Sequence, residues 1–299
     1  MMMKKRITYA RKISRFLLNY HFRGSDILRR KICKFLMPAN EGPVICSTLY
    51  DVDMLVDPKP QNIVEHSIYN LGAFEAGTLT VLKNKLSKGA VFLDVGANIG
   101  FISCVIARFL GENGFIYSIE PHPDTFKILK QNITINNIEN IYAFQIALGE
   151  RISEMDLYDD PRGDRGSASL IPPYGRSEIH GVKVKITTID RLIEHKTIKS
   201  PTMIKIDVEG FELQVLRGAK NLLNSSKAPT LCVEYSLNNP QFGGNTFDIY
   251  KFIKFVNDYR IFKLEYGRDI PSKLIEIKDK DDLPKADNIF CFLNKSHLI

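Results

Sequence analysis

Val91-Phe92-Leu93-Asp94-Val95-Gly96-Ala97-Asn98-Ile99-Gly100 decides the fold of this chain. Val91 to Val95 is a short apolar run rich in β-branched residues, as a buried parallel strand requires. It ends on an acid, passes through a glycine loop and enters Phe101 to Leu110, which reads as a helix. Strand, glycine loop and helix in this order build a nucleotide-type site in α/β folds, because the helix start presents unpaired N–H groups to a ligand.

A dinucleotide loop reads Gly-x-Gly-x-x-Gly, and its middle glycine lets the backbone approach a pyrophosphate. Counted from Gly96, the middle position is Asn98 and the last is Phe101, so the spacing is Gly-x-x-x-Gly. A ligand with an adenosine but no pyrophosphate suits that departure, and S-adenosylmethionine is the candidate. Asp94 would face its amino group and the helix N-terminus its carboxylate. The competing reading is a tight strand–helix turn that binds nothing.

Downstream, Phe115 to Ile119 reads as a second strand closed by Glu120, which lies 24 residues after Gly96. An acid about 20 residues beyond such a loop commonly accepts the two hydroxyls of a ribose. A helix follows over 124–132, then a strand over 141–148 that offers only Gln145 and Ala147 for an adenine contact. Residues 150–180 are polar and broken by Gly and Pro, too long for an ordinary α/β connection, and read as a lid or binding loop with a strand near 155–158. Tyr158, Asp159, Asp160, Arg162, Asp164, Arg165 and Tyr174 there could bond hydroxyls. Ile171-Pro172-Pro173-Tyr174 resembles the Asp/Asn-Pro-Pro-Tyr of amino methyltransferases acting on nucleic acid but lacks the leading residue, and reads as a rigid turn.

Residues 182–187 alternate as a strand, and 190–194 start a short helix. Met203 to Ile206 is a buried strand followed by Asp207, Val208, Glu209 and Gly210 and then a helix. Further strands are expected at 231–235, 261–266 and 289–293, with a helix at 247–256. Strand–helix alternation predicts an open, mostly parallel, doubly wound sheet whose ligand lies beyond the carboxyl ends of its strands. Asp94, Glu120, Asp207, Glu209 and Glu234 all fall near such ends. Asp207 or Glu209 could take the proton from an acceptor hydroxyl, could bind a divalent metal together with Glu234, or could serve the loop structurally. No metal is expected as a fixed part of the site. Lys205, inside the strand, could pair with one of these acids.

Upstream, Lys4 to Leu36 carries two helical patterns separated by Gly24. Ile13, Phe16, Leu17 and Tyr20 share one face of the first, and Leu28, Ile32, Phe35 and Leu36 one face of the second. Residues 1–38 hold eleven lysines and arginines against one acid, Asp26, whereas the remaining residues hold 30 basic and 33 acidic. The basic segment therefore either docks on an anionic membrane surface or acidic partner, or packs on the body with a solvated rim. The body is not basic, which argues against a nucleic-acid partner. Prolines 38, 43, 58 and 60 mark an irregular connection with a short strand or hairpin near 44–56, and 70–86 reads as one lead-in helix in which Glu75 could point into the cofactor cleft but is read as a solvated acid. No apolar run approaches the ~18 residues of a membrane span, and none before Gly24 suits a signal peptide. Five scattered cysteines suggest neither zinc nor disulfides, and a cytoplasmic setting, peripheral to the inner membrane surface if the basic segment docks there, is expected.

The motifs Asp94-Val95-Gly96-Ala97-Asn98-Ile99-Gly100, Ile119-Glu120-Pro121 and Lys205-Ile206-Asp207-Val208-Glu209-Gly210-Phe211-Glu212, with Leu216-Arg217-Gly218-Ala219, resemble the FkbM-type S-adenosylmethionine-dependent methyltransferases. Ser167-Ala168-Ser169-Leu170 and Thr188-Ile189-Asp190 resemble intervening signatures, so the likeness spans about 72–235. It implies a seven-stranded, Rossmann-like class I methyltransferase sheet with one antiparallel strand near its end. It implies O-methylation of a sugar, glycan or natural-product hydroxyl. It places Asp94, Gly96, Asn98 and Gly100 at the methionine end of the cofactor, Glu120 at the ribose, and Asp207 and Glu209 beside the transferring methyl. The expected organisation is a basic helical appendage (1–38), a lead-in or cap region (39–86) and a methyltransferase domain (87–299) with an insert at 150–181. A nicotinamide-dependent oxidoreductase and a non-catalytic cofactor-binding module recruited to a membrane glycan-assembly complex are the rival functions.

Overall fold

A computed structural model describes residues 2–20, 24–40, 42–172, 181–236 and 247–294, with side chains described from residue 6 onward. Eight strands form the main sheet: β3 (Val91–Val95), β4 (Phe115–Ile119), β5 (Ile141–Phe144), β9 (Met203–Ile206), β10 (Thr230–Ser236), β11 (Tyr259–Leu264), β12 (Leu274–Ile277) and β13 (Ala286–Leu293). Their order is β12-β11-β13-β10-β9-β3-β4-β5. β5, β4, β3, β9 and β10 run parallel, and β13 is inserted antiparallel to both β10 and β11. The seven expected strands are all present, with the reversed strand near the end. β12 is an additional edge strand, paired antiparallel with β11. Its Leu274-Ile275-Glu276-Ile277 stretch sits in a charged region that masks the pattern.

Alternation along each strand feeds two cores, as a doubly wound sheet demands. Phe92, Ile116, Met203 and Cys232 pack toward α4 (Ala76–Lys85) and α5 (Phe101–Leu110). Leu93, Tyr117, Ile204 and Leu231 pack the other way, against α7 (Ile189–Glu194), α8 (Glu212–Arg217), α9 (Lys220–Leu223) and α10 (Phe247–Val256).

Three expectations are corrected. The lead-in is two helices, α3 (Ile63–Leu71) and α4, because Gly72 and Glu75 between them adopt left-handed backbone at φ 71° and 46°. Residues 141–148 are two strands in two sheets: after β5 the chain leaves the main sheet, and β6 (Ala147–Leu148) joins β7 (Ser153–Leu157) and β8 (Val182–Thr187) in a three-stranded sheet. The third concerns α1 (Met2–Asn19) and α2 (Ser25–Leu36), which bury Ala10, Ser14 and Leu17, and Ser25, Arg29 and Cys33, while Phe16, Tyr20, Leu28 and Phe35 face outward.

Polar anchoring fixes that rotation of α1. Arg11 donates to the carbonyls of Ser47, Tyr69 and Asn70 at 2.9, 2.8 and 3.1 Å, and Ser14 Oγ donates to Leu71 O at 2.6 Å. A cation is thereby set on the unpaired carbonyls that end α3. Arg29 Nε donates to Ser14 Oγ at 3.0 Å and Arg6 Nη2 to Phe35 O at 3.1 Å, so α1 and α2 lie side by side and antiparallel. A short hairpin, β1 (Val44–Ser47) with β2 (Asp53–Val56), precedes α3. Its β2 is tied to α6 (Pro123–Ile135) by Asn132, whose Oδ1 accepts from Leu55 N at 2.7 Å. No described helix is long and apolar enough to cross a membrane. Of the proline turn, Pro173 and Tyr174 lie outside the described residues.

Candidate active site

Register builds the site. Asp94 on β3 lies opposite Ser118 on β4 and Lys205 on β9, all on the sheet face that α4 and α5 cover. One row therefore carries a hydroxyl, a carboxylate and an ammonium at the carboxyl ends of adjoining strands. Ser103, from α5, donates to Asp94 Oδ2 at 2.6 Å and touches Ser118 Oγ at 2.7 Å. Asp94 is 1% exposed, and its Oδ1 has no hydrogen-bond partner. Burial pushes the Asp94 carboxyl upward, opposed by Lys205. A buried acceptor without a donor is costly, and Asp94 lines the cleft described below.

The glycine loop spends all of its amides internally. Gly96 N and Ala97 N donate to Ile119 O at 3.0 and 2.9 Å, and Gly100 N to Ala97 O at 2.9 Å. Asn98 N donates to Glu120 Oε2 at 2.9 Å and Ile99 N to Asn98 Oδ1 at 2.7 Å. No N–H from 96 to 100 remains for a phosphate. Gly96, at φ 82°, is required because a Cβ there would stand 1.7 Å from Asp207 O. Asn98 itself is left-handed at φ 51°, a conformation asparagine tolerates better than most residues.

Glu120 closes β4. Its Oε1 accepts from His122 N at 2.9 Å, so each oxygen holds one backbone donor. A carboxylate oxygen can accept twice, which leaves room for two further hydroxyl donors. Burial lifts Glu120 to about 7.

The second acidic group follows β9. Its strand ends at Ile206, and Glu209 is left-handed at φ 49°, so turn geometry rather than strand alternation brings Asp207 and Glu209 together. Glu212 holds that turn by accepting from Val208 N at 3.1 Å and Gly210 N at 2.8 Å. Ser169, from the insert, donates to Glu209 O at 2.9 Å. One carboxylate oxygen each of Asp207, Glu209 and Glu234 lies within 4.8 Å of the others.

Cations already divide this cluster. Lys205 Nζ sits 2.7 Å from Asp207 Oδ2, and Arg268 Nη1 sits 2.8 Å from Glu234 Oε1 and 3.4 Å from Glu75 Oε1. Burial works against ionising Asp207, but Lys205 and Arg268 outweigh it and hold its carboxyl below the ordinary range. The charge on Asp207, then burial, drives Glu234 well above that range. Burial, then the charges of Asp207 and Glu212, lifts Glu209 to about 7. The three carboxyls thus differ in acidity: Asp207 is held low, Glu209 is lifted to about 7 and Glu234 is driven upward. Hard divalent ions take six or more oxygen ligands and draw on unpaired carboxylates. With Asp207 and Glu234 already bound to cations, the set fits such an ion poorly.

All seven sequence-derived residues are gathered around one cleft. Asp94, Gly96, Asn98, Glu120, Asp207 and Glu209 line it together with Glu234, Lys205 and Arg268, and Gly100 stands just behind as the first cap of α5. Asp164 to Ala168 and Leu170 of the insert form one wall, and Ile63, Val64 and Phe74 another. Gly166 comes so close that a Cβ would lie 2.7 Å from Asn98 Nδ2. Of the expected hydroxyl-binding residues, Asp164 and Arg165 reach the cleft; Arg162 pairs with Asp160, Asp159 pairs with His122, and Tyr174 lies outside the described residues. Ala147 lines the cleft, whereas Gln145 is exposed and does not.

Glu75 is a correction. It is 0% exposed, and its Oε2 accepts from Asn288 Nδ2 at 3.0 Å. It supports Arg268 from beneath the cleft. Neither Arg268 nor Asn288 carried a local motif. They arrive through the β11–β12 connection and through the pairing of Glu234 with Asn288 across β10 and β13.

The lifted acids imply a pH dependence. Glu120, Glu209 and Glu212 ordinarily ionise near 4.5 and are raised to about 7 in the fold. Between these values the folded chain holds protons that the unfolded chain releases. Their contribution is therefore fully present below pH 4.5 and lost as pH rises through about 7. The lowered Asp207 acts in the opposite sense, but below its ordinary 3.8. Thermal melts of the ligand-free protein are expected to show a falling midpoint across this window. A rising midpoint would show that these carboxyls are not desolvated as described.

Residues 94–261 match the family described as the methyltransferase FkbM domain. Hexuronic acid methyltransferase AglP of Haloferax volcanii is 26% identical over 151 residues, 50% of this chain and 59% of that protein. Methyltransferase 1 of Beauveria bassiana is 28% identical over 142 residues, 42% of this chain and 57% of that protein. The matched stretch spans less than two thirds of either relative's own length. Among solved structures, a SAM-dependent methyltransferase from Agrobacterium tumefaciens aligns with a TM-score of 0.44 at 12% identity, over 86% of this chain and 71% of that one.

Proposed function

The chain belongs to the methyltransferase FkbM family, and from that premise we propose that it transfers a methyl group from S-adenosylmethionine to a hydroxyl of a saccharide. The observation that carries this reading is the pairing, in one cleft, of a loop with no amide left for phosphate and a carboxyl lifted to about 7. The first disfavours a dinucleotide, and the second is the acidity a general base needs near neutral pH.

S-adenosylmethionine supplies an electrophilic methyl on a sulfonium. In this reading Asp94 Oδ1 would accept from the amino group at the methionine end, with Asn98 and the Gly96–Gly100 turn beside it. Glu120 would accept from the ribose hydroxyls. The acid-rich floor suits a cationic donor, since opposite charges attract strongly where water is scarce. Glu209 accepts the acceptor's hydroxyl proton. Asp207 stays ionised against Lys205 and keeps Glu209 from ionising too early. Arg268 and Glu75 set Glu234 in place, and the insert wall from Asp164 to Leu170 covers the cleft and excludes water.

The saccharide acceptor rests on Asp164 and Arg165, polar groups on that wall that could meet hydroxyls beside their contacts to Ser167 and Glu65, and on the relative named for a hexuronic acid. Incubation with methyl-labelled S-adenosylmethionine and a panel of neutral sugars and uronates is expected to label a hydroxyl. Cofactor binding without label on any hydroxylated acceptor would overturn the assignment of an O-methyltransferase.

A further inference from the structure

The outward faces of α1 and α2 carry a pattern that neither the core nor the cleft uses. On α1, Tyr9, Phe16 and Tyr20 are exposed, Phe16 by 58%, with Arg6 and Lys12 exposed on the same stripe. On α2, Ile27, Leu28 and Phe35 are exposed, Phe35 by 80%, interleaved with Lys31 and Lys34. Positions 9, 12, 16 and 20, and 27, 28, 31, 34 and 35, recur at helical spacing, so each set is one stripe. The Phe16 and Tyr20 rings meet with centroids 4.8 Å apart and planes tilted by 34°. Large exposed apolar groups gathered on one surface mark an interaction site.

Charge selects the partner. Several arginines of the segment are committed to the fold: Arg11 and Arg15 bond carbonyls, and Arg29 and Arg30 pair with Asp26. Lys12, Lys31 and Lys34 make no ion pair among the described residues. Residues 1–38 hold eleven cations and one acid, while the rest of the chain is slightly acidic. An anionic surface would attract the stripes and repel the body, which fixes orientation. Rings and aliphatic groups flanked by lysines settle at the headgroup level of a bilayer. A second copy meeting this face by a twofold axis would set lysines against lysines.

We infer that α1 and α2 form a docking surface for an anionic lipid bilayer, with Phe16, Tyr20, Ile27, Leu28 and Phe35 entering the interface and Lys12, Lys31 and Lys34 bonding headgroup phosphates. The surface is independent of the chemistry assigned to the cleft.

Co-sedimentation of the full chain with phosphatidylcholine vesicles, with and without phosphatidylglycerol, tests it. The full chain is expected to partition at least ~10-fold more strongly onto the anionic vesicles, and to be released by high salt. The double variant Phe16→Ser/Phe35→Ser and the triple variant Lys12→Glu/Lys31→Glu/Lys34→Glu are each expected to lose about 10-fold of that partitioning while keeping the parent's melting midpoint. Equal partitioning onto both vesicle types overturns the inference. So does retention by folded variants, or a self-association in light scattering that these substitutions abolish without any change in vesicle binding.

Discussion

Glu209→Gln is expected to lower kcat by about 10²–10⁴-fold, the usual contribution of a positioned general base, while S-adenosylhomocysteine still binds. Glutamine keeps the size of the side chain and leaves the Ser169 contact to Glu209 O untouched, so the turn survives. What disappears is the proton acceptor. Because burial and neighbouring charge lift Glu209 to about 7, the parent's kcat should rise with pH up to that value and then level. The variant should lack that limb. Asp207→Asn differs in a measurable way: it strips Lys205 of its partner at 2.7 Å, so it should lower the melting midpoint as well as the rate. A variant Glu209→Gln with undiminished kcat and an intact limb would transfer the role of base to another group.

Gly96→Ala is expected to be the most damaging single methyl in the molecule. The added Cβ would meet Asp207 O at 1.7 Å and Asp207 C at 2.8 Å. Both are backbone atoms, on a segment whose Asp207 N is bonded to Val95 O at 3.0 Å, so neither side can turn away. The left-handed φ of 82° adds strain. Relief requires the loops after β3 and β9 to separate, and the two motifs share that contact. The expected loss exceeds about 4 kcal/mol, or roughly 10 °C in melting midpoint for a chain of this size, with cofactor binding abolished. Gly111→Ala is the control. It has a similar φ of 72° but nothing within 4 Å of a Cβ, so strain of about 1–3 kcal/mol is all it should cost. Equal melts for the two variants would mean that the Gly96–Asp207 contact is not tight.

Much of this site was legible because its pieces are local. A strand, a turn and a helix start sit within one short stretch at 91–110, and the 203–212 stretch repeats the plan. Acids at strand ends are readable once strands are assigned, and the sheet's parallel register then gathers them. Lys205 was readable for the same reason: a lysine within an apolar strand needs a buried partner. Arg268, Asn288 and Glu75 were not readable. Their meeting depends on β13 inserting between β10 and β11, a long-range event without a local pattern. Glu75 in particular lies in what passes for a polar helical stretch, and only the left-handed break before α4 turns it inward.

The basic helices were only partly readable. Spacing puts Phe16, Leu17 and Tyr20 on one helical face, yet Leu17 is buried while Phe16 and Tyr20 are exposed, because hydrogen bonds from Arg11 and Ser14 to the end of α3 set the rotation. Two polar side chains outweighed the hydrophobic pattern because unpaired carbonyls at a helix end demand donors. The stretch at 141–148 failed because alternation does not say which sheet a strand joins. Pairing of Ala147 and Leu148 with Ile186 and Thr187 settled that.

A crystal structure with S-adenosylhomocysteine bound decides whether the cleft holds the cofactor as assigned. The nucleoside is expected across the ends of β3 and β4, its ribose hydroxyls on Glu120, its amino group on Asp94 and its sulfur turned toward Glu209. A product molecule lying elsewhere, or in this cleft with its ribose away from Glu120 and its sulfur away from Glu209, would contradict it.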